Sequence, residues 1–245
     1  MPHAPLSEYL KLAQKLGIGR FVFVQPSAYL RDNACMLDAM KEAGSRCRGI
    51  VDVDEDAPDA ELARMHALGV RGMRINVSPI HPPEAGLAQS LLPRIRRLEA
   101  RGAELGWHLD FLLPGWLTTE LLPVLGKLKV DWSLAHMGMF LAKDGPQQPG
   151  FLKLLDLLKQ GSGWIKLTGV YRLSQAPGFA DAQPLARALI EAAPDRILWG
   201  SDYPHLSFAD KVGSAELYEL LGKWAPDAAV RRKILSDNPA KLYGY

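Results

Sequence analysis

Several apolar runs of the sequence end in side chains that can transfer protons or bind a polar ligand. The run "RILWGSDYPH" carries Asp202, "VDWSLAHMG" carries His136, and "GWHLDFLL" carries His108 and Asp110. Carboxylate and imidazole groups are the usual general acids and bases of enzymes, and both also bind metal ions. Their position within and after apolar runs indicates a polar site built at the ends of buried strands.

Asp202 is the first candidate, because a carboxylate that closes an apolar strand loses solvation unless it faces a polar pocket. Side chains alternate along a strand, so Asp202 shares a face with Leu198, while Ile197 and Trp199 lie on the other face. A turn or helix-capping carboxylate before Pro204 is the alternative interpretation. We favour the functional one and predict that Asp202 points into the site.

The other candidates come from the remaining strands. By the same alternation His136 follows Leu134 on the inward face, opposite Ser133 and Ala135. His108 is either a core histidine bonded through its ring nitrogens or a site residue. Further polar side chains end or follow strands: Arg74, Asn76, Lys166, Thr168, Tyr171 and Arg172. Four histidines are predicted to lie in loops or at the surface, outside the site: His3, His66, His81 and His205.

The elements that must position these residues alternate between short strands and helices. Seven β-branched or apolar runs predict strands, at residues 20–27, 48–54, 70–77, 105–113, 130–138, 163–169 and 196–204. Helical patterns lie between them, in a repeat of roughly 25–35 residues that is typical of β/α barrels. In such barrels the catalytic groups sit at the carboxyl ends of the strands. We therefore predict one β/α-barrel domain over residues 1–245.

Seven strands are one fewer than a closed eight-stranded barrel contains. The first helical segment, "LSEYLKLAQKLG", begins almost at Met1, so the prediction is a distorted (β/α)8 barrel whose first strand would lie before Met1. A sheet of this kind has two unpaired edges, which invite pairing between chains. A homo-oligomer is therefore one expected state.

Composition and charge exclude several classes of protein. The 245 residues include 29 basic and 27 acidic side chains, a net charge of +2, which gives no field that would attract nucleic acid or a membrane. The two cysteines, Cys35 and Cys47, form no metal-binding spacing, and no segment is apolar enough for a membrane span or a signal peptide. We expect a cytoplasmic protein that acts on a small molecule.

The motifs together resemble those of a known family. "FVFVQPSAYLRDN", "VRGMRIN", "GWHLDF", "LAHMG", "RILWGSDYPH" and "DNPAKLYGY" follow the order found in the amidohydrolase-related family of the amidohydrolase superfamily, from about Pro5 to Tyr245. Within that family the chain is most similar to the cluster that contains 2-pyrone-4,6-dicarboxylate lactonase and sugar lactonases. The resemblance implies a distorted (β/α)8 barrel that hydrolyses a cyclic ester.

The resemblance also implies roles for individual residues. Asp202 matches the final-strand aspartate that handles the proton of the hydrolytic water, and His136 matches the histidine that polarises the substrate or binds a metal. A carboxylate base with a histidine or metal at the oxyanion is chemically suited to ester hydrolysis. Arg74 and Arg172 match arginines that hold an acidic substrate, and His108 stands in the family's "GWH" strand. Asn76 and Tyr171, chosen from their positions at strand ends and not from the resemblance, complete the expected substrate site.

Two features depart from the family's pattern. The sequence contains no D-x-H-x-H motif, so a divalent metal such as zinc or manganese would have only His136 and Asp202 as ligands, and the cofactor is either one such ion or none. Met139, Leu112 and the uncharged "VSPIHPP" stand where the pyrone lactonase has an arginine, a tyrosine and a basic loop. These replacements indicate a substrate less anionic than a dicarboxylate.

Three functions are consistent with these features. The leading hypothesis is a lactone hydrolase in which Asp202 assists the attack of water on the carbonyl. The second is a metal-dependent decarboxylase or hydratase of an aromatic acid, as in other members of the superfamily. The third is an inactive remnant that binds a ligand or a partner without turnover.

Overall fold

A computed structural model describes residues 4–245 and contains, within them, a sheet of seven parallel strands. The strands pair in chain order. They are β1 (Phe21–Val24), β2 (Cys47–Val51), β3 (Val70–Asn76), β4 (His108–Leu112), β5 (Trp132–Leu134), β6 (Trp164–Leu167) and β7 (Ile197–Trp199). The seven predicted strands are confirmed, although each is shorter than its apolar run.

Helices connect the strands and cover the outer face of the sheet. They are α1 (Leu6–Lys15), α2 (Ala34–Ala43), α3 (Asp59–Leu68), α4 (Leu87–Leu105), α5 (Gly115–Leu125), α6 (Pro149–Lys159), α7 (Gln183–Ala192), α8 (Ser214–Trp224), α9 (Ala228–Arg232) and α10 (Asn238–Tyr243). A π-helical turn, Lys233–Asp237, joins α9 to α10. In the described part of the chain, none of the helices has the length and apolarity that crossing a membrane requires. The predicted β/α-barrel class is confirmed.

The register of the sheet decides which side chains face the interior. Ile50 pairs with Gly72, and Gly72 pairs with His108, so these positions share the inward face. A Cβ at Gly72 would lie 2.5 Å from the His108 ring, so the missing side chain leaves the space that the imidazole fills. Lower in the interior, Ile50 packs with Trp164 and Leu198 into an apolar cluster. The polar residues of the inward face therefore lie above an apolar floor.

The opposite face of the sheet carries the main hydrophobic core. Phe111 pairs with Leu134, Leu134 with Ile165, and Ile165 with Ile197. All four side chains are buried in the core that also contains the inner faces of the helices. This face fixes the strands rigidly, which gives the site a stable support.

The first and last strands of the sheet do not pair with each other. Tyr9 of α1 lies between their ends: its ring is 5.0 Å from that of Phe21 on β1 and 5.5 Å from that of Tyr203, which follows β7. The Tyr245 hydroxyl donates a hydrogen bond to the backbone carbonyl of Phe21. Side chains from both ends of the described chain thus cover part of the open side of the curled sheet.

Candidate active site

The carboxylate of Asp202 follows β7 at the carboxyl end of the sheet. Its Oδ2 accepts a 2.5 Å hydrogen bond from the Tyr171 hydroxyl and lies 3.7 Å from Nε of Arg172. Tyr171 and Arg172 belong to a 3-10 turn just after β6. Burial and the neighbouring carboxylate raise the pKa of Tyr171, so its phenol keeps the proton and donates. One oxygen of Asp202 is therefore anchored by residues from the adjacent strand.

The second carboxylate oxygen of Asp202 has a different environment. No group within residues 4–245 bonds to Oδ1, and the Asp202 side chain keeps 27% of its surface exposed. The residue has a φ of 54°, in the left-handed region that aspartate tolerates better than most residues. Because β7 already ends at Trp199, this turn, and not strand alternation alone, aims the carboxylate into the mouth of the barrel.

His136 faces the same mouth, but the alternation that we used to predict its direction is wrong for β5. Ser133, not Leu134, points inward, because its hydroxyl donates a 2.6 Å hydrogen bond to Asp110. Leu134 packs in the outer core. His136 reaches the mouth because the chain leaves the strand in a left-handed conformation, with a φ of 50° at His136 and 51° at Met137.

The imidazole of His136 is held by Thr168, the residue that follows β6. Nδ1 lies 2.8 Å from the Thr168 hydroxyl, and the backbone N–H of His136 donates to the same oxygen at 3.1 Å. Nε2 faces Oδ2 of Asp202 at 3.9 Å, which is too long for a hydrogen bond. Burial lowers the pKa of His136 to about 4, against the attraction of Asp202, so the ring is neutral at pH 7.

A buried ionic group lies beside the mouth. Lys166 Nζ donates a 2.5 Å hydrogen bond to Asp110 Oδ1, which also accepts from Ser133. Burial alone would raise the pKa of Asp110, but the charges of Lys166 and Arg74 outweigh it and hold that pKa well below its usual range. Asp110 is fully buried, so its charge depends on these partners.

Four predicted substrate-binding residues have a buried polar atom without a partner in residues 4–245, namely Arg74, Asn76, His108 and Arg172. Arg74 and Asn76 lie on β3. Arg74 is 7% exposed, its Nε has no partner in the described part of the chain, and its nearest carboxylate oxygen is Asp110 Oδ2 at 3.9 Å. Asn76 donates from Nδ2 to Ser27 at 2.7 Å, while its buried Oδ1 has no partner there. Unpaired buried polar groups are costly, so both residues are suited to receive a polar ligand.

The structure does not bring His108 to the mouth. His108 begins β4, two residues before Asp110, and its Nδ1 donates a 2.8 Å hydrogen bond to the Arg71 carbonyl. Its ring packs edge-on against Tyr243 with centroids 5.5 Å apart, and Nε2 is shielded from solvent. Of the two interpretations that the sequence left open, the structure supports the core histidine.

His205 lies in the loop after β7, as predicted, but beside the site rather than outside it. It is buried rather than on a loop surface, with Nε2 3.1 Å from both the Ser201 carbonyl and the Ser214 hydroxyl. Its ring also packs edge-on against Tyr171, at 6.0 Å between centroids. The adjacent Asp202 was the signal that could have found it. His66 and His81 are partly exposed as predicted, and His3 lies outside the described residues.

The predicted metal ligands do not form a metal site by themselves. His136 Nε2 and Asp202 Oδ2 lie 3.9 Å apart, and Oδ2 already accepts the Tyr171 hydrogen bond. A catalytic zinc ion takes three protein ligands. Within residues 4–245, no three His, Cys, Asp or Glu side chains are grouped to hold an ion. The residues described therefore do not fit a divalent metal.

Comparisons with known proteins give a consistent result. A sequence profile of the amidohydrolase family matches residues 1–245. The chain is 34% identical over 247 aligned positions to 4-sulfomuconolactone hydrolase of Hydrogenophaga intermedia, with 99% of this chain and 80% of that protein covered. It is 31% identical to D-galactarolactone isomerase of Agrobacterium fabrum, with 96% of this chain and 80% of that protein covered.

A solved structure has the same fold. The crystal structure of a candidate 2-pyrone-4,6-dicarboxylic acid hydrolase from Pseudomonas putida superimposes with a TM-score of 0.88 at 33% sequence identity. The alignment covers 100% of this chain and 89% of that one. The fold and the order of its elements are therefore shared over the whole described chain.

Proposed function

Since the chain belongs to the amidohydrolase family, we propose that it is an enzyme that opens a small lactone by hydrolysis, with Asp202 as the base that accepts a proton from water. The observation that carries the proposal is the carboxylate of Asp202. One of its oxygens is anchored by Tyr171 and the other is open to the mouth. An anchored, partly exposed carboxylate is suited to bind and orient a water molecule.

The reaction uses three side chains around the lactone carbonyl. Water bound at Oδ1 of Asp202 attacks the carbonyl carbon and gives its proton to the carboxylate. The imidazole of His136 interacts with the carbonyl oxygen as negative charge develops there. When the ring C–O bond breaks, the leaving oxygen takes a proton from Asp202, and the product is an open-chain hydroxy acid. Arg172, 3.7 Å from Oδ2, keeps the carboxylate oriented throughout.

The free hydrogen-bonding groups favour an anionic substrate with one acidic group. Arg74 has a donor, Nε, without a hydrogen-bond partner in residues 4–245, and the single negative charge of Asp110, 3.9 Å away, is shared with Lys166. One carboxylate or sulfonate of the substrate would pair with the Arg74 guanidinium. Leu112 and Met139 are buried and apolar, so these positions provide no second cation.

The test is an assay of the purified protein on lactones that carry no carboxylate, one or two, with identification of the product. We expect hydrolysis, fastest for the lactones with one carboxylate, and a loss of at least about 10³-fold in kcat for Asp202→Asn. Asp210→Asn makes the same change at an exposed position and serves as the control. Undiminished hydrolysis by Asp202→Asn would refute the role of Asp202. A product that is an isomeric lactone would favour an isomerase, as in the Agrobacterium relative.

The state of the cysteines indicates the cellular compartment of the proposed enzyme. The structure contains two free cysteines, exposed Cys35 and buried Cys47, and no disulfide within residues 4–245. Unpaired thiols are typical of a reducing compartment, and we assign the enzyme to the cytoplasm on that ground. The homo-oligomer, expected from the two unpaired edges of the sheet, stays a prediction.

A further inference from the structure

The Thr168 hydroxyl contacts two polar atoms of the same histidine. Its Oγ1 accepts the backbone N–H of His136 at 3.1 Å and lies 2.8 Å from Nδ1 of the ring. Thr168 follows Lys166 by two residues at the end of β6, so the rigid sheet fixes where this hydroxyl lies. The contact therefore constrains both the backbone and the ring of His136.

The single hydroxyl proton decides which ring nitrogen of His136 is protonated. A hydroxyl donates one hydrogen bond and accepts two. One lone pair of Oγ1 is used by the His136 backbone N–H, and within residues 4–245 the acceptor available to the hydroxyl hydrogen is Nδ1. If Nδ1 carried the ring proton, Oγ1 would accept twice from His136 and its own hydrogen would be left unpaired. The better-satisfied arrangement has an unprotonated Nδ1.

The ring has little freedom to escape this arrangement. Gly169 has a φ of 57°, and a Cβ there would lie 2.4 Å from Nδ1 of His136. The ring thus packs directly on the backbone of Gly169, and His136 is 6% exposed. A ring flip that exchanged Nδ1 and Nε2 would require this packing to open.

We propose that Thr168 is a positioning residue that places the ring proton of His136 on Nε2, so that Nε2–H donates a hydrogen bond to the substrate carbonyl oxygen. Nε2 faces the space next to Asp202, 3.9 Å from Oδ2, and no closer acceptor contacts it in the described part of the chain. The identity of the accepting oxygen rests on the proposed lactone hydrolysis. The position of the ring proton on His136 does not depend on the proposed lactone hydrolysis.

The test begins with the ring protonation itself. The protein is labelled with ring ¹⁵N-histidine, and His136→Gln identifies the His136 signals. We expect a pyridine-type Nδ1 and a pyrrole-type Nε2 in the wild type and in Thr168→Ser, and a mixture of both ring forms in Thr168→Val. Thr118→Val, which removes a buried hydroxyl that has no partner in residues 4–245, should leave the His136 signals unchanged.

Steady-state kinetics then measures how much the proton on Nε2 of His136 contributes to kcat. Thr168→Val should lower kcat on the preferred lactone at least about 10-fold while KM changes less than about 3-fold, because the lost hydrogen bond forms as charge develops. Thr168→Ser should restore kcat to within about 3-fold of the wild type. Thermal unfolding of each variant checks that the fold is intact.

Two results would overturn the proposal. One is a protonated Nδ1 in the wild-type spectrum, which decides the question even if Thr168→Val fails to fold. The other is an unchanged kcat in a folded Thr168→Val. A wild-type protein that hydrolyses no lactone would refute the proposed function instead, and the spectra would still decide the role of Thr168.

Discussion

The Tyr171 hydroxyl donates a 2.5 Å hydrogen bond to Oδ2 of Asp202, and it links the turn after β6 to the turn after β7. The Tyr171 ring is itself held from two sides. The guanidinium of Arg172 lies 5.3 Å from its centroid, and the ring of His205 packs edge-on at 6.0 Å. The orientation of the Asp202 carboxylate therefore depends on a chain of contacts that begins at His205.

Removal of this hydroxyl should impair catalysis more than folding. In Tyr171→Phe the aromatic packing remains, but Asp202 loses its anchor and samples other orientations. We expect kcat to fall by about 10- to 100-fold, because small misplacements of a catalytic group cost about that much. Steady-state kinetics and thermal unfolding measure the two effects. Tyr218→Phe is the matched control, because Tyr218 of α8 is a half-buried tyrosine that packs edge-on against Trp199 and whose hydroxyl has no partner in residues 4–245. Equal kcat values for the two variants would contradict the prediction.

The buried ion pair of Asp110 and Lys166 should be required for the stability of the folded protein. Asp110→Asn leaves two buried cations, Lys166 and Arg74, without their compensating charge. We expect a loss of about 3–5 kcal/mol in the free energy of unfolding, measured by urea denaturation. The double variant Asp110→Asn/Lys166→Met should recover part of that loss, since it no longer buries an unpaired ammonium.

The control for this prediction is an exposed pair with similar geometry. Glu8 and Lys11 are 2.8 Å apart on the surface of α1. Exposed ion pairs are screened by solvent and contribute little, so Glu8→Gln should leave the unfolding free energy nearly unchanged. If Asp110→Asn cost no more than Glu8→Gln, the buried pair would not stabilise the fold.

The sequence was sufficient to predict the strands and the residues that end them, because apolar runs and strand ends are local features. The seven strands occur in the predicted order. Asp202, His136, Tyr171 and Arg172 all meet at the carboxyl end of the sheet. Strand ends meet there in any parallel β/α barrel, so this part of the site follows from the fold class.

The directions of individual side chains could not be predicted in the same way. Within β5 the side chains alternate with Ser133 inward and Leu134 outward, which would turn His136 outward, and His136 reaches the mouth only through the left-handed turn that follows the strand. His205 does lie in a loop, as predicted, but its burial could not be foreseen, because it depends on contacts with Tyr171 and Ser214, which are distant in sequence or unmarked by any motif. Aspartate and histidine are enriched at positive φ, but the sequence does not mark which aspartates and histidines adopt it.

Burial of His108 should make the stability of the protein depend on pH. Burial lowers the pKa of this imidazole to about 4 in the folded protein, whereas an unfolded histidine has a pKa of about 6.5. Between these values the unfolded chain binds a proton that the folded protein does not. The contribution of His108 to stability is therefore fully present above pH 6.5 and is lost as the pH falls toward 4.

His108→Gln should reduce this acid sensitivity, because glutamine has no proton to gain. The free energy of unfolding is measured by urea denaturation at pH 7 and at pH 4.5. Between pH 7 and pH 4.5 the wild type should lose about 2–3 kcal/mol more of this free energy than the variant loses. His136 is buried in the same way, so the part of the acid-induced loss of stability that is due to His136 should remain in His108→Gln. His81→Gln, at a partly exposed loop position, should show the full wild-type loss. An equal loss in wild type and His108→Gln would mean that His108 becomes protonated without unfolding the barrel.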